Sequence, residues 1–501
     1  MSGFVVGFGN PNLIELKQMF GLIEHRGPFA SGIYHNKKAI MAQNYLKADG
    51  EAASGEYEIP FANPLNESLR ICYDGQIGNT NNLSQKENIP KEDFILECYK
   101  QFNKSMFRHL NDAIFAFVIS DGDQFLAARD LLGIKTLFYG WKDDTLYLAS
   151  ELKSIIILTD EVFEFPPGHY MTGDGQLTRF AELPKSPKES VNIEIDKMTQ
   201  HIKTIIKRSM AEKIDYNITT GSLLSGGLDS SVICYLANLM YKEKFGPDTM
   251  LKTFSIGVGE SEDIKNARIM SDYLNTDHNE LIVALKNLLE VLPEVIYYLE
   301  SFDPSLVRSA VSNFLVSRFA KEKGIKQLLS GEGGDEIFCG YNHLKLLTND
   351  EVYAGQIEIL DFLHNNASLR LDRMNQCNSI KVVTPLISGE LLEYSLTIPT
   401  KYKIKKENGN KIEKWIFRKS FEGLLPDKIL WRLKQEFSQG SGSASELTNY
   451  FEKQISHDDL RHAQGEYPFI RSKEELYYFN IFKKYFGTGR AVETVGQWIS
   501  L

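Results

Sequence analysis

Twice in this chain an apolar run breaks off in Ser-Gly: SLLSGGLDSS at 222–231 and LLSGEGGDEIFCGY at 328–341. A short apolar run halted by glycine, with an amphipathic segment behind it, reads as a buried strand turning tightly into a helix. The same alternation runs through the back of the chain, with helices over 194–213, 230–243 and 263–275 and strands at 221–224, 251–257 and 326–330. Strands interleaved with helices make βαβ units, so a parallel sheet covered on both faces is expected.

Residues 1–180 have another texture. FVVGF (4–8), LRICYDG (69–75), AIFAFVIS (113–120), QFLAARD (124–130) and TLYLAS (145–150) are short β-type runs separated by Gly, Asn and Asp turns, which predicts antiparallel sheets. The polar segment PKSPKESVN (184–192) is the best linker, and the predicted domains are 1–188 and 189–501. Segments 403–411 and 440–446 read as mobile loops. A balance of 56 Lys and Arg against 66 Asp and Glu, net −10, argues against a general binder of nucleic acid or anionic membrane. The five cysteines, Cys72, Cys98, Cys234, Cys339 and Cys377, include no CxxC pair, so neither a zinc knuckle nor a disulfide framework is indicated and a reducing cytoplasm is expected. No apolar run reaches the roughly 18 residues of a membrane span, and no secretion signal opens the chain.

In the first Ser-Gly loop, Gly226 and Gly227 let backbone approach a phosphate, while Ser225, Ser230, Ser231 and the N–H groups opening the helix supply donors. The loop lacks the GxxxxGK[ST] spacing and its lysine, so it is not a Walker A loop. It has the form used by pyrophosphatase-type enzymes that split ATP between the α- and β-phosphates, with Asp229 as a Mg²⁺ ligand; the alternative is an ordinary strand-to-helix turn. In the second loop Glu332, Asp335 and Glu336 crowd the carboxyl end of a strand and repel unless a cation neutralises them, which suggests Mg²⁺ shared by Asp229 and Asp335. Solvated acids in a helix's first turn are the other reading. Lys434, in WRLKQEFSQGSG (431–442), either neutralises a leaving pyrophosphate or is a surface charge.

Together these segments resemble the glutamine-dependent asparagine synthetase family over essentially the whole chain. The resemblance rests on SGGLDSS, FSIGV (254–258), Asp263, SGEGGDEIFCGY and WRLKQEFSQG behind, and on HRGP (25–28), SGIY (31–34), ARDLLGIKTLFYG (128–140), ASELK (149–153) and FPPGHY (165–170) in front. It implies an α+β, N-terminal-nucleophile-type sandwich of antiparallel sheets, a class II glutamine amidotransferase-like domain. An α/β, adenine nucleotide α-hydrolase-like domain with a parallel sheet of the pyrophosphatase type should follow. The implied activity is that of a carbon–nitrogen ligase with ATP as substrate and Mg²⁺ as cofactor. Leu224, Ser225, Gly226, Gly227, Asp229, Ser230 and Ser231 would hold the phosphates, Val258 and Asp263 the rest of the nucleotide, and Ser330 and Gly331 the α-phosphate region. Glu332 matches the residue that handles the proton of the attacking amine, Asp335 a metal ligand and Lys434 the lysine facing pyrophosphate. Homodimers joined through the first domain are common in the family.

The first half departs from the family pattern at the positions that hydrolyse glutamine. The nucleophilic Cys is Ser2, whose hydroxyl ionises far less readily than a thiol. The arginine that clamps the glutamine carboxylate falls on Tyr45, and the oxyanion-hole amide falls on Asp74, whose charge repels an oxyanion. The ammonium acceptor aligns with Lys91. A retained shell without glutaminase activity is expected, against the alternative of a working site that has drifted. In the acyl-substrate pocket, to which Lys381 and Glu336 are assigned, Lys381 and Val383 replace the family's Glu and Arg in SIKVVTPLIS (379–388), so the carboxylate substrate is expected to differ from aspartate. β-Lactam synthetases and lasso-peptide cyclases are similar relatives without glutaminase activity, but this chain keeps Glu332 where β-lactam synthetases have Tyr. The expected reaction is therefore adenylation of a small carboxylate and its transfer to ammonia or a small amine. Glutamine-hydrolysing asparagine synthesis and a non-catalytic nucleotide-binding protein are its rivals.

Overall fold

The computed structural model describes residues 2–46, 59–63, 66–77, 91–110, 113–187, 194–407 and 409–498. The chain divides into two units, the first built from Met1–Leu183, Leu363–Asp372 and Phe486–Thr494 and the second from Pro184–Phe362, Arg373–Tyr485 and Val495–Leu501. The boundary expected at 188/189 lies outside the described residues.

Each strand of the first unit places alternate side chains on opposite faces, and here both faces are covered, which is why AIFAFVIS is apolar throughout. One six-stranded antiparallel sheet runs Val162–Glu164, Phe138–Lys142, Thr145–Ala149, Ser2–Phe8, Ala39–Tyr45, Ala30–His35. The other runs Leu177–Arg179, His169–Thr172, Phe125–Arg129, Ala113–Ser120, Asn66–Ile77, Phe61–Asn63. Phe4, Val6, Met41, Leu146 and Leu148 of the first sheet meet Cys72, Ala116, Val118, Phe125 and Met171 of the second in a common core. Ile71, Tyr73, Phe115 and Phe117 face the other way, onto Phe94, Ile95 and Cys98 of the helix Lys91–Phe102. Helices Leu13–Gly21 and Leu152–Ile156 cover the outer side of the first sheet.

The second unit carries a five-stranded parallel sheet in the order Asp277–Val283, Lys252–Val258, Thr220–Leu223, Gln327–Leu329, Lys381–Val383. The chain builds outward from Thr220–Leu223 on one side, then crosses back to lay Gln327–Leu329 against its other edge. That reversal opens a crevice at the carboxyl ends of the two central strands, the position where doubly wound sheets bind ligands. Both Ser-Gly loops begin there. The two segments read as loops are ordered otherwise: Lys405–Glu407 and Asn410–Ile412 form a hairpin, and Ser443–Gln454 is a helix whose first residue is buried and donates its hydroxyl to the Arg308 carbonyl. Among the described residues no helix is long and apolar enough to cross a membrane.

Candidate active sites

In the second unit, strand Thr220–Leu223 ends at Leu224, and Gly226 makes the turn at φ +66° into the helix Leu228–Phe245. The Ser225 and Ser230 hydroxyls lie 3.1 Å apart, the Gly227 N–H donates to Ser225 Oγ at 3.3 Å, and Ser230 Oγ donates back to the Gly227 carbonyl at 3.2 Å. Ser231 is buried, and its Oγ has no hydrogen-bond partner. The helix dipole and its opening N–H groups thus face the crevice with a hydroxyl-lined loop, a ready anion site.

The second loop packs onto the first. A Cβ on Gly331 would stand 2.5 Å from the Ser230 nitrogen, and one on Gly334 would stand 2.5 Å from Asp229 Oδ1, so only glycine lets the loops close. This contact brings Asp229 to Asp335. Lys414 Nζ bridges them, 2.5 Å from Asp229 Oδ2 and 2.6 Å from Asp335 Oδ1, and Lys434 Nζ reaches Asp335 Oδ2 at 2.6 Å. Burial raises the Asp335 carboxyl, but the two lysines override it and hold the group well below the usual range. Asp229, with Lys414 alone in contact, is raised by burial and by its neighbour Asp335. Glu336 is pushed up to about 7 by burial and by Glu332 and Asp335, and accepts a 2.6 Å hydrogen bond from the Tyr341 hydroxyl. The Glu332 N–H donates to Ser330 Oγ at 3.3 Å.

At the neighbouring strand end, Arg432 donates to Asp263 Oδ1 at 2.9 Å and to the Ser225 carbonyl at 3.3 Å, tying the Lys434 loop to the phosphate loop. Burial raises Asp263 to about 6 even beside that guanidinium. The Val258 N–H donates to the Ser441 carbonyl at 2.8 Å. Leu224, Ser225, Ser230, Asp229, Ser330, Glu332, Asp335 and Lys434 therefore gather in one crevice, with Asp263 and Val258 flanking it. Lys381 does not join them. It opens strand Lys381–Val383, level with Gln327, at the amino edge of the parallel sheet, whereas Val383 lies at the carboxyl edge and accepts from the Ser330 N–H at 2.9 Å. Strand direction thus sets the Lys381 backbone at the sheet edge opposite the one from which the two Ser-Gly loops spring, with Val383 on the near edge.

Sequence reasoning missed Lys414 and Arg432. Lys414 lies 79 residues beyond Asp335 in no glycine motif, and only the fold returns it; Arg432 stood inside the quoted WRLKQEF stretch, two residues from Lys434. Among the described residues no group of three His, Cys, Asp or Glu is arranged to hold a metal ion. A divalent cation would rest on Asp229 and Asp335 and complete its oxygen shell from a nucleotide and water. Asp229 Oδ1 is buried without a hydrogen-bond partner, as an oxygen reserved for a cation would be.

In the first unit, Ser2 is 2% exposed and pairs across the sheet with Tyr45, which packs edge-on to Phe61 at 6.3 Å. The Ser2 hydroxyl donates to the Tyr73 carbonyl and accepts from Gln43 Nε2 at 3.1 Å, and the Ser2 N–H donates to Asp74 Oδ1 at 3.2 Å. Asp74 Oδ2 is held by Arg26 at 3.0 Å and Lys135 at 3.2 Å. Asp372 takes the same two cations at 3.0 and 2.9 Å, and Glu151 takes Arg26 at 2.8 Å together with Lys153. Burial disfavours charge on Arg26 and Lys135, yet these carboxylates raise both above their ordinary values. Ser2, Tyr45 and Asp74 are thus neighbours. Lys91 begins the helix on the outer face of the second sheet.

Comparison with known proteins gives two family matches: the asparagine synthase family model covers residues 201–358 and 349–480, and the glutamine amidotransferase domain model covers 1–181. The chain is 31% identical to a protein named asparagine synthetase [glutamine-hydrolyzing] 3 from Arabidopsis thaliana, over 96% of this chain and 86% of that one. It is also 31% identical to asparagine synthetase [glutamine-hydrolyzing] 2 from Oryza sativa subsp. japonica, over 98% of this chain and 86% of its relative.

Proposed function

The chain belongs to the asparagine synthetase family and is an ATP-dependent amide ligase, and from that premise we propose that it forms AMP and pyrophosphate and runs without glutaminase activity. The observation that carries the first part is the Asp229–Lys414–Asp335–Lys434 array at the crevice between the two central strands, facing a helix N-terminus lined by hydroxyls. The helix N-terminus and Ser225 and Ser230 bind the phosphates. Lys434 neutralises negative charge that grows on the departing pyrophosphate, when its contact with Asp335 is exchanged for one with phosphate oxygens. Mg²⁺ held by Asp229 and Asp335 would screen the polyphosphate and polarise the α-phosphoryl oxygens. A substrate carboxylate attacks the α-phosphorus to give an acyl-adenylate. Glu332, in the same loop, accepts the proton shed when an amine attacks that adenylate.

The second part rests on Asp74. An oxyanion hole needs free donors aimed at the developing charge. Here the residue at that place is an acceptor whose oxygens are engaged by Ser2, Arg26 and Lys135. The Ser2 proton points at a carbonyl rather than at a base. Free ammonia or a small amine is then the nitrogen donor.

The test is an end-point assay of the purified chain with ATP, Mg²⁺ and a panel of small carboxylates, supplied with ammonium or with glutamine. AMP and pyrophosphate with ammonium, and no glutamate with glutamine, are expected. ADP and phosphate, or stoichiometric glutamate release, would refute the two parts respectively.

A further inference from the structure

Lys414 is placed with unusual care for a residue outside every motif. It is 2% exposed, takes the left-handed conformation at φ +53°, and caps the helix Trp415–Ser420 from that position. An ordinary side chain in that region is strained and persists only where the surroundings impose it. They do so here. Glu413, the preceding residue, is anchored by Arg418 at 2.5 Å and Lys345 at 2.8 Å. A Cβ on Gly340 would come within 2.1 Å of Lys414 Cε and 2.0 Å of Asp335 Oδ1, so the glycine seats the lysine against the carboxylate.

We propose that Lys414 is a built-in counter-cation that closes the Asp229–Asp335 pair in the nucleotide-free protein, so that a divalent cation binds only together with the negatively charged nucleotide. This rests on the adenylating reading of the site. The charge count gives the reason. Lys414 and Lys434 sit directly on Asp229 and Asp335 and offset their charge, so at that pair a bare cation keeps only the attraction of Glu332 and Glu336 in the same loop. A polyphosphate entering beside the loop Ser225–Ser231 engages Lys434 and adds several negative charges. The cation then gains both the polyphosphate oxygens and Asp229 Oδ1, which Lys414 does not occupy. Lys414 stays as the contact between the two loops and keeps their carboxylates from separating. It is a positioning residue, acting through Asp229 and Asp335 without touching the substrate.

The experiment reads cation binding without turnover. Mn²⁺ affinity is measured by calorimetry in nucleotide-free wild type, Lys414→Met and Lys414→Arg, and melting temperature is followed against Mg²⁺ with and without a non-hydrolysable ATP analogue. Removing one buried positive charge from the carboxylates should tighten nucleotide-free Mn²⁺ binding about tenfold or more in Lys414→Met, while Lys414→Arg stays like wild type. In wild type alone, Mg²⁺ should shift melting only when the analogue is present. Equal Mn²⁺ affinity in wild type and Lys414→Met overturns the proposal, as does a Mg²⁺ shift in wild type without analogue. The wild-type arm holds even if the methionine variant does not fold. Failure of AMP formation in the separate activity assay would refute the functional reading while leaving these binding results to stand or fall on their own.

Discussion

Lys403 offers a sharp test of the electrostatics in the second unit. It is fully buried, its Nζ donates to Gln356 Oε1 at 2.7 Å, and burial lowers it from an ordinary value of 10.5 to about 8. Charging it in place therefore costs on the order of 3 kcal/mol. The unfolded chain binds the proton more tightly, so the cost is fully present below about pH 8, fades as pH rises, and is gone above about pH 10.5. Lys403→Met removes this cost but strands Gln356 Oε1, a loss of about 1–3 kcal/mol. At pH 7 the variant should be as stable as wild type or up to about 2 kcal/mol more so. Near pH 10.5 it should be about 1–3 kcal/mol less stable, because only the lost hydrogen bond remains. Urea midpoints followed by tryptophan fluorescence read the difference, and Trp415, 6.5 Å from the Tyr402 ring, sits close enough to report on this region. Titration of groups remote from Lys403 cancels between the two proteins; the buried Cys339 thiol, pushed up to about 11 by burial and eased by Lys403, does not, and loss of the lysine raises it further. A stability difference that is the same at both pH values would refute the reasoning.

If Asp74 stands at the oxyanion hole as proposed, Ser2→Cys alone should release no measurable glutamate from glutamine, since a carboxylate there replaces a donor worth about 10²–10³ in rate; turnover in that single variant would refute the assignment. Asp74→Asn leaves Arg26 and Lys135 short of an anion in a buried network and should destabilise the first unit by about 3–5 kcal/mol, read as early proteolysis or a lowered calorimetric transition. Gly334→Ala puts a methyl 2.5 Å from Asp229 Oδ1 and should lower ATP–pyrophosphate exchange by about 100-fold, with circular dichroism unchanged.

Elements with strong local periodicity were legible to within two or three residues: the helix expected over 194–213 is Ile195–Lys213, and the strand expected at 251–257 is Lys252–Val258. The edge strand Asp277–Val283 was not, because its first four residues, Asp-His-Asn-Glu, are polar and carry no apolar alternation; it is held by its backbone pairing to Lys252–Val258. Segment 440–446 misled in the opposite sense. Gly and Ser suggested a loop, yet Ser441 and Ser443 are buried and hydrogen-bond to each other's neighbourhood, with Gly442 supplying the left-handed turn before the helix. For the site, residues inside glycine motifs could be found because the motif itself marks a strand end. Lys414 could not, since a lysine beside a tryptophan has no local signal that it will be folded back onto two distant carboxylates.

The two buried charge clusters differ in a way that bears on what each can do. In the first unit Arg26, Lys135 and Lys153 face Asp74, Asp372 and Glu151, and each cation is in contact with a carboxylate. A ligand entering there would have to displace an ion already satisfied, at a cost of several kcal/mol for the charge left alone. In the second unit the carboxylates also hold two lysines, and Asp229 Oδ1 and Glu336 Oε2 are buried without hydrogen-bond partners; the Tyr73 hydroxyl and Gln76 Oε1 of the first unit lack partners as well, so what sets the second unit apart is that its unpartnered atoms include carboxylate oxygens adjoining a hydroxyl-lined helix N-terminus. Such unmet valence is unfavourable in a protein that merely folds. On the proposed reading its cost is recovered when a polyphosphate and a cation arrive together in the second unit, an exchange that the paired charges around Arg26 and Lys135 in the first unit do not offer.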